Sequence, residues 1–331
     1  MVWLKRYRQW VGVYGQDGIS YSSEPSRYKI AVLCTGVDRK NKFVRIHNQR
    51  RILPPRNFLD NEADSSDTHG WGTAIVCFLA EMSPSAMLYV AKIAEGNQMA
   101  QSALVAIEKV ELIASFIGIK LTMLLKAIRY AVHDWSVDMI VVPLGMEYHD
   151  RGISAAILEA RQHNITVVAA AGNSGGNDRV AFPARMPSVI AVHATDGHGN
   201  PSLFNPSPVK ARKNFSTLGE SIPTISKSTN EECYMTGTAW AACTAAAILS
   251  VVIQFARKRL EMNGEDLQWL NSPEGAELLL ELMSSDRGGY NYVAPWLFFS
   301  GEIDERMAHG SQAEFINTVK GQVVAAMRRS R

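Results

Sequence analysis

The sequence is poor in cysteine and has none of the spacings that cysteine-based sites require. Only 4 of its 331 residues are cysteines, and no two of them form a CxxC pair. A disulfide framework and a structural zinc site are therefore not expected, and we predict reduced thiols in a cytoplasmic protein. The four are Cys34, Cys77, Cys233 and Cys243.

The N-terminus lacks the apolar core of a signal peptide. The first ten residues, MVWLKRYRQW, are basic and aromatic, and no apolar run of sufficient length follows them. The apolar region at residues 111–132 is interrupted by Lys120, Lys126 and Arg129, so it does not predict a membrane span. From these features we expect neither secretion nor association with a membrane.

Neither charge is in large excess, because 34 basic and 32 acidic residues give a net charge of +2. That balance does not indicate a nucleic-acid partner. The basic tail at residues 328–331 is interpreted as a solvated helix end. The acidic stretch at residues 60–67 could supply calcium ligands, but we predict no metal site and no cofactor. The oligomeric state cannot be predicted from the sequence.

Short, unbroken apolar strands alternate with helical patterns through the first 260 residues. Such alternation predicts an α/β fold in which helices cover both faces of a mostly parallel central sheet. We expect a loosely packed lead-in at residues 1–27 and a main domain at 28–260. A helical and aromatic extension at 261–331 is expected to pack on that domain. Its amphipathic stretch at 312–327 is interpreted as a docked helix, with a partner-facing helix as the alternative.

Several sequence blocks, in one order along the chain, carry a family resemblance. They are residues 30–38 (IAVLCTGVD), 67–73 (DTHGWGT), 170–176 (AAGNSGG), 182–192 (FPARMPSVIAV), 214–219 (NFSTLG) and 236–247 (TGTAWAACTAAA). Together they resemble the subtilisin-like serine peptidases, and residues after 287 resemble the intracellular fungal members. The resemblance implies a subtilisin-like three-layer sandwich. The first block starts too early to leave room for the propeptide of secreted members, which again predicts a cytoplasmic protein.

All three positions of the family's catalytic triad differ in this chain. By the resemblance, Cys34 stands in place of the aspartate, Trp71 in place of the histidine and Ala239 in place of the serine. A serine attacks only when an oriented base takes its proton, so this set supplies no nucleophile, no base and no orienting group. Ala239 by itself is either natural or introduced, but three chemically unrelated changes favour a natural loss of proteolysis.

Two residues could stand in for the lost groups. His69 lies two positions before Trp71, but in family members with two histidines in this block the first is not the base. Cys34 could act as a nucleophile if a nearby cation or helix N-terminus lowered the pKa of its thiol. No cation lies near it in the sequence, so a small buried hydrophobic residue is the favoured interpretation.

One functional position of the family is retained. The resemblance places Asn173 at the oxyanion hole, where an amide donates to a carbonyl oxygen, although a turn residue is the alternative. Trp71 either fills the former active site or contacts a ligand with its ring. Pro143 lacks an N–H group, which should weaken strand pairing with a peptide. The other predicted cleft residues are Leu144, Gly145, Ala171, Gly172, Thr238 and Trp240.

Two functions remain open. The first is a proteolytically inactive pseudopeptidase that binds a peptide or a partner protein in the former active-site cleft. The second is a repurposed biosynthetic enzyme of cyclase or isomerase type, with an apolar small-molecule pocket around Trp71 and Asn173. The first is favoured on frequency alone. In neither case do we expect a working serine peptidase.

Overall fold

The computed structural model describes residues 2–14, 27–47, 50–59, 65–95, 121–227, 231–299 and 312–331. Its strands, in chain order, are β1 (Lys29–Cys34), β2 (Arg56–Asn57), β3 (Met87–Lys92), β4 (Met139–Val142), β5 (Thr166–Ala170), β6 (Ile190–Thr195), β7 (Phe215–Leu218), β8 (Ile222–Ile225), β9 (Glu232–Met235), β10 (Ser284–Arg287) and β11 (Tyr290–Val293). Nine of these described strands form one sheet, and β8 and β9 form a separate hairpin.

The main sheet is mostly parallel, as the alternating pattern predicts. Its spatial order is β10-β11-β7-β6-β5-β4-β1-β3-β2, and among its pairs only β10 and β11 are antiparallel. The registers pair Cys34 with Lys92 and Ala170 with Val192. Because the central strands are parallel, their carboxyl ends lie along one edge of the sheet, where open α/β folds hold their functional residues.

Helices cover both faces of this sheet, which confirms the predicted fold class. Leu121–His133 and Arg151–Gln162 pack on one face, and Trp71–Met82 and Thr238–Arg259 pack on the other. The first part of the apolar region at residues 111–132 lies outside the described residues. The remaining helices are Val2–Tyr14, Lys42–His47, Gly264–Leu270, Pro273–Leu282, Trp296–Phe299 and Gln312–Ser330.

The helix Thr238–Arg259, called the central helix below, crosses strands β4 to β7. Other elements can pack close to this helix because many of its residues are small and fully buried, namely Ala241, Ala242, Ala245, Ala246 and Ala247. By length and composition this helix could cross a membrane, but 94% of its apolar window is buried inside the fold. Its apolar surface is thus covered by the rest of the chain.

The N-terminal lead-in is not loosely packed where the structure describes it, so that prediction was wrong. Val2–Tyr14 is a helix whose Trp3 and Tyr7 side chains are each 1% exposed. The two rings stack at 5.3 Å, and the Trp3 indole N–H donates to the Tyr292 hydroxyl at 3.1 Å. Aromatic residues four apart share one helix face, and that face docks on the C-terminal region.

The C-terminal region joins the main fold in two ways. Strands β10 and β11 extend the main sheet beyond β7. The helix Gln312–Ser330 docks on its own chain through Val319, Val323 and Met327, each 1–2% exposed. Spacing by four places these residues on one helix face. The predicted contribution of Phe315 lies outside the described side chains.

Candidate functional site

The predicted site residues lie at the carboxyl edge of the sheet. Cys34 is the last residue of β1, and Asn173 follows the end of β5 by three residues. Trp71 and Ala239 lie at the starts of two helices, as the first residue of Trp71–Met82 and the second of the central helix. Two strand ends and two helix starts therefore meet at one place.

Cys34 packs against the helix start at Trp71 and shares an apolar cluster with the central helix. The Cys34 Sγ lies 3.0 Å from the place that a Cβ on Gly72 would take, next to Trp71. Cys243 lies one helical turn after Ala239 on the central helix. Cys34 and Cys243 belong to one apolar cluster, and the half-buried Trp71 ring packs against that cluster. The fold thus brings these positions together, while their assignment to triad positions stays a prediction.

The Cys34 thiol is buried and neutral. It is 0% exposed and donates to the Gly36 carbonyl at 3.5 Å. Burial raises the pKa of this thiol far above its usual range; the Gly36 contact opposes the shift and the Asp67 charge adds to it. Because the thiolate is the nucleophilic form, Cys34 cannot attack a carbonyl at neutral pH. The geometry favours the interpretation of Cys34 as a buried hydrophobic residue.

Our sequence reasoning did not single out Asp67, which organises the start of the helix Trp71–Met82. Its carboxylate is 0% exposed and accepts five hydrogen bonds. Oδ1 accepts from the Thr35 hydroxyl at 2.9 Å and from the N–H groups of His69 and Gly70 at 3.1 and 2.9 Å. Oδ2 accepts from the N–H and the hydroxyl of Thr73, both at 2.7 Å.

This carboxylate provides the cap that the helix would otherwise lack. Gly70, the residue before Trp71, has φ +94° and no capping side chain. The first N–H groups of a helix need acceptors, and Asp67 and Thr35 supply them for Thr73 and Gly72. An aspartate shortly before a glycine-led helix start was the available sequence signal.

The same geometry leaves the Asp67 carboxylate, the last acidic group of the stretch 60–67, without a free oxygen for a calcium ion. Residues 60–64 lie outside the described part of the chain, and the Asp67 carboxylate is already occupied by five donors. Within the described ranges, no group of three or more His, Cys, Asp or Glu side chains is placed to hold a metal ion.

The Asn173 amide is oriented by Thr238. Its Oδ1 accepts from both the N–H and the hydroxyl of Thr238, each at 2.8 Å. The same hydroxyl accepts from the N–H of Gly172 at 3.1 Å, which closes a small network between β5 and the central helix. Since two donors identify Oδ1 as the carbonyl oxygen, the Nδ2 group is the side of the amide that can donate to a ligand.

Trp240 does not line a cleft, so our expectation for this side chain was wrong. The indole is 1% exposed and meets the Phe78 ring edge-to-face at 5.5 Å inside the core. Residues one apart on a helix point in different directions, so the half-buried Ala239 and the buried Trp240 face different surroundings. The side chains of Leu144, Ala171 and Thr238 are also buried, at 4%, 0% and 1% exposure.

The wall at residues 143–146 offers few main-chain partners to a peptide. Pro143 has no N–H, and both backbone groups of Met146 pair with Phe182 at 2.7 and 2.8 Å. Gly145 and Gly172 both border the Ala181 methyl group. An added Cβ would lie 2.6 Å from this methyl group on Gly145 and 3.3 Å from it on Gly172. This wall therefore has few free main-chain groups with which an added peptide strand could pair.

Gly72 is required by the close packing of the site. A Cβ there would lie 2.3 Å from the Gly36 carbonyl oxygen and 2.8 Å from the Thr35 hydroxyl. We expect Gly72→Ala to lower the free energy of unfolding by about 2–3 kcal/mol, because backbone atoms must shift. Urea denaturation measures this loss. Gly12→Ala is the matched control, since no atom lies within 4 Å of its added Cβ. Equal stability of the two variants would contradict the prediction.

Comparisons with known proteins agree with this architecture. The sequence model described as the Subtilase family (Peptidase S8) matches residues 26–271. The chain is 27% identical over 218 residues to a thermostable alkaline protease of Halalkalibacterium halodurans, covering 63% of the chain and 50% of the relative. It is 24% identical over 187 residues to subtilisin E of Bacillus subtilis, covering 54% of the chain and 44% of the relative. The match thus spans about half the length of these relatives.

Two solved structures share the fold. The prenylagaramide maturation protease PagA superimposes with a TM-score of 0.60 at 18% identity, covering 84% of this chain and 94% of PagA. A mutant of the protease domain of PatA superimposes with a TM-score of 0.62 at 18% identity, covering 87% of this chain and 99% of that domain. At this identity the likeness concerns the fold alone.

Proposed function

Because the chain belongs to the subtilase family, we propose that it is a proteolytically inactive member that binds a peptide in the former active-site cleft. One observation carries this proposal. The Asn173 Nδ2 group, held by Thr238 next to Ala239, can donate a hydrogen bond to a carbonyl oxygen, whereas Cys34, Trp71 and Ala239 offer neither a base nor a charged nucleophile.

The inactivity follows from the chemistry of the three substituted positions. Ala239 has no nucleophilic atom, and an indole such as that of Trp71 cannot act as a base. The buried Cys34 thiol carries no charge that could orient a base. In subtilisin, removal of the serine or the histidine lowers kcat by about 2 × 10⁶-fold. We infer a loss of at least that order here.

Peptide binding is supported by the donor that remains. Thr238 already donates two hydrogen bonds to the Asn173 Oδ1, so the Nδ2 group is the part of the amide that is left to contact a ligand. Every peptide unit brings a carbonyl acceptor, and such a contact is lost when the amide is removed. The four cysteines are free, which supports the reducing, cytoplasmic setting that we propose for this protein. We also propose that this protein is a member of the intracellular fungal subgroup of the family.

The small-molecule alternative has no specific observation in its favour. The Trp240 indole, which we predicted as an apolar part of the cleft, is buried in the core instead. An apolar cavity does exist, but it lies between the far end of the central helix and the helix Gln312–Ser330, and Val252, Phe255, Val319 and Val323 are among its lining residues. We therefore propose binding rather than cyclisation or isomerisation.

The test combines a peptide array with a hydrolysis assay. On an array of eight-residue peptides, we expect Asn173→Leu to weaken binding about tenfold, because one hydrogen bond to the ligand is lost. Asn177→Leu is the matched control, since Asn177 is exposed in the same loop. Fluorogenic peptides should be hydrolysed no faster than in buffer. Peptide turnover abolished by a serine-directed inhibitor, or binding unaffected by Asn173→Leu, would refute the proposal.

A further inference from the structure

The chain contains three Ser-Pro dipeptides, which begin at Ser83, Ser207 and Ser272. A serine followed by proline is the substrate signature of proline-directed protein kinases, and these enzymes favour a basic residue three positions after the serine. Ser207 has one, because Lys210 completes the sequence Ser-Pro-Val-Lys. The other two serines are followed at that position by an alanine and a glycine. The motif therefore singles out Ser207.

The burial of the three serines leads to the same choice. Ser83 is fully buried, and Ser272 is 5% exposed with its hydroxyl capping the helix Pro273–Leu282. Ser207, in contrast, is exposed in the loop between β6 and β7, and Lys210 is exposed as well. Because proline disfavours the helical conformation for the residue before it, Ser207 is biased towards the extended form in which kinases bind their substrates.

The Ser207 hydroxyl takes part in the contact between its own loop and the loop that carries Asn173. It donates to the Gly176 carbonyl at 2.7 Å. Beside this bond, the Gly175 N–H donates to the Phe204 carbonyl at 2.9 Å. Both hydrogen bonds join the two loops shortly after Asn173 in the chain. A chemical change at Ser207 therefore acts within three residues of the Asn173 amide.

We propose that Ser207 is a phosphorylation site of a proline-directed protein kinase and that its phosphate weakens peptide binding at Asn173. In the reaction the Ser207 Oγ attacks the γ-phosphorus of ATP, the bond from that phosphorus to the bridging oxygen breaks, and ADP leaves. The hydroxyl proton passes to a carboxylate of the kinase. The effect on binding rests on the proposed function, because it concerns the same cleft.

The phosphate disrupts the contact between the loops for two reasons. The esterified Oγ has no hydrogen atom, so it can no longer donate to the Gly176 carbonyl. The phosphate also carries a charge of about −1.5 to −2 at pH 7, which is repelled by the partial negative charge of that carbonyl oxygen. The loop around Gly175 then opens more often, and the Asn173 amide is held less firmly in its donating position.

Kinase treatment of the full-length protein tests the modification. With a purified proline-directed kinase and ATP, we expect mass spectrometry to map the phosphate to Ser207 and to find none in Ser207→Ala. Lys210→Ala should slow incorporation about tenfold, because a charge contact with the kinase is lost. Lys213→Ala is the matched control, since this lysine lies on the same loop but outside the motif. No incorporation, or equal labelling of Ser83 or Ser272, would overturn the proposal.

Hydrogen exchange measures the effect of the phosphate on the loop. After phosphorylation we expect the Gly175 amide to exchange about fivefold faster, because its loop is no longer held at Ser207. The Ser202 amide, which donates to the Ala194 carbonyl of β6, serves as the internal control and should not change. Equal exchange of the Gly175 amide before and after phosphorylation would show that the modification does not reach the loop of Asn173.

The peptide array completes the test. The phosphorylated protein should bind peptides about fivefold more weakly than the unmodified protein, and Ser207→Ala should resist this effect of the kinase. Equal binding by both forms would refute the regulatory role. If the unmodified protein binds no peptide while labelling and faster exchange are observed, the proposed function is refuted and the phosphorylation site stands.

Discussion

Replacement of Asp67 by alanine should lower the free energy of unfolding by about 3–5 kcal/mol. The carboxylate accepts five hydrogen bonds in a place that water does not reach. Without it, the N–H groups of His69, Gly70 and Thr73 lose their acceptor at the start of the helix. Each buried donor left unpaired costs about 1–3 kcal/mol, and partial relaxation of the turn reduces the sum.

Urea denaturation of three variants tests this expectation. We expect Asp67→Asn to lose less free energy of unfolding than Asp67→Ala, because the asparagine amide keeps one acceptor oxygen. Asp67→Asn should still be less stable than the wild type, because its NH₂ group faces hydrogen-bond donors. Asp178→Ala is the control, since Asp178 is exposed. The free energy of unfolding of this variant should stay within about 0.5 kcal/mol of the wild-type value. A loss below about 1 kcal/mol for Asp67→Ala would show that water replaces the carboxylate at little cost.

Acidification from pH 6.5 to pH 4 should cost the folded protein about 3 kcal/mol through His193 alone. The imidazole is 0% exposed, its Nδ1 lies 3.1 Å from the Phe215 carbonyl, and its Nε2 has no hydrogen-bond partner among the described residues. Burial lowers its pKa from 6.5 to about 4; the Phe215 contact opposes this and the Arg212 charge adds to it.

The sign follows from the proton balance. Below pH 6.5 the unfolded chain binds a proton at this histidine, whereas the folded protein does not until about pH 4. Stability is therefore complete above pH 6.5 and falls as the pH decreases through this window. Because each pKa unit corresponds to about 1.36 kcal/mol, the difference amounts to about 3 kcal/mol.

Urea midpoints measured between pH 4 and pH 7 test this dependence. His193→Gln removes the titrating group and should flatten the curve by about 3 kcal/mol, whatever its effect at pH 7. His198→Gln is the control, since His198 is exposed on the loop that follows the same strand. Retention of the full pH dependence in His193→Gln would assign the acid sensitivity to other groups.

The fold could be predicted from the sequence because its signals are local. The strands β1, β4 and β5 are short, apolar runs bounded by turn residues, which is the local pattern from which the parallel sheet was predicted. The lead-in was misjudged because residues 1–27 contain glycine, proline and many polar residues. That composition concealed the aromatic stripe of Trp3 and Tyr7. The Trp3 indole contacts Tyr292 and Trp296, far along the chain, and the Tyr7 hydroxyl donates to the Met82 carbonyl.

The site was only partly predictable, because motif order does not specify which face a side chain occupies. Cys34, Trp71, Asn173 and Ala239 were named from the sequence, and the fold brings them to one edge. Trp240 was misplaced because a one-residue step on a helix separates the cleft from the core. Asp67 was overlooked although four of its five donors lie within residues 69–73, because only the fold shows that its carboxylate is buried and that it also accepts from Thr35.

The sequence by itself determined the layered α/β fold and the family. They follow from the periodicity of apolar residues and from motifs whose residues are close together in the chain. Only the tertiary structure decided that the Cys34 thiol is buried, that Thr238 orients the Asn173 amide and that the Ser207 hydroxyl reaches the loop that carries Asn173. Each of these depends on contacts between distant segments, and burial, hydrogen-bond direction and pKa are properties of such contacts.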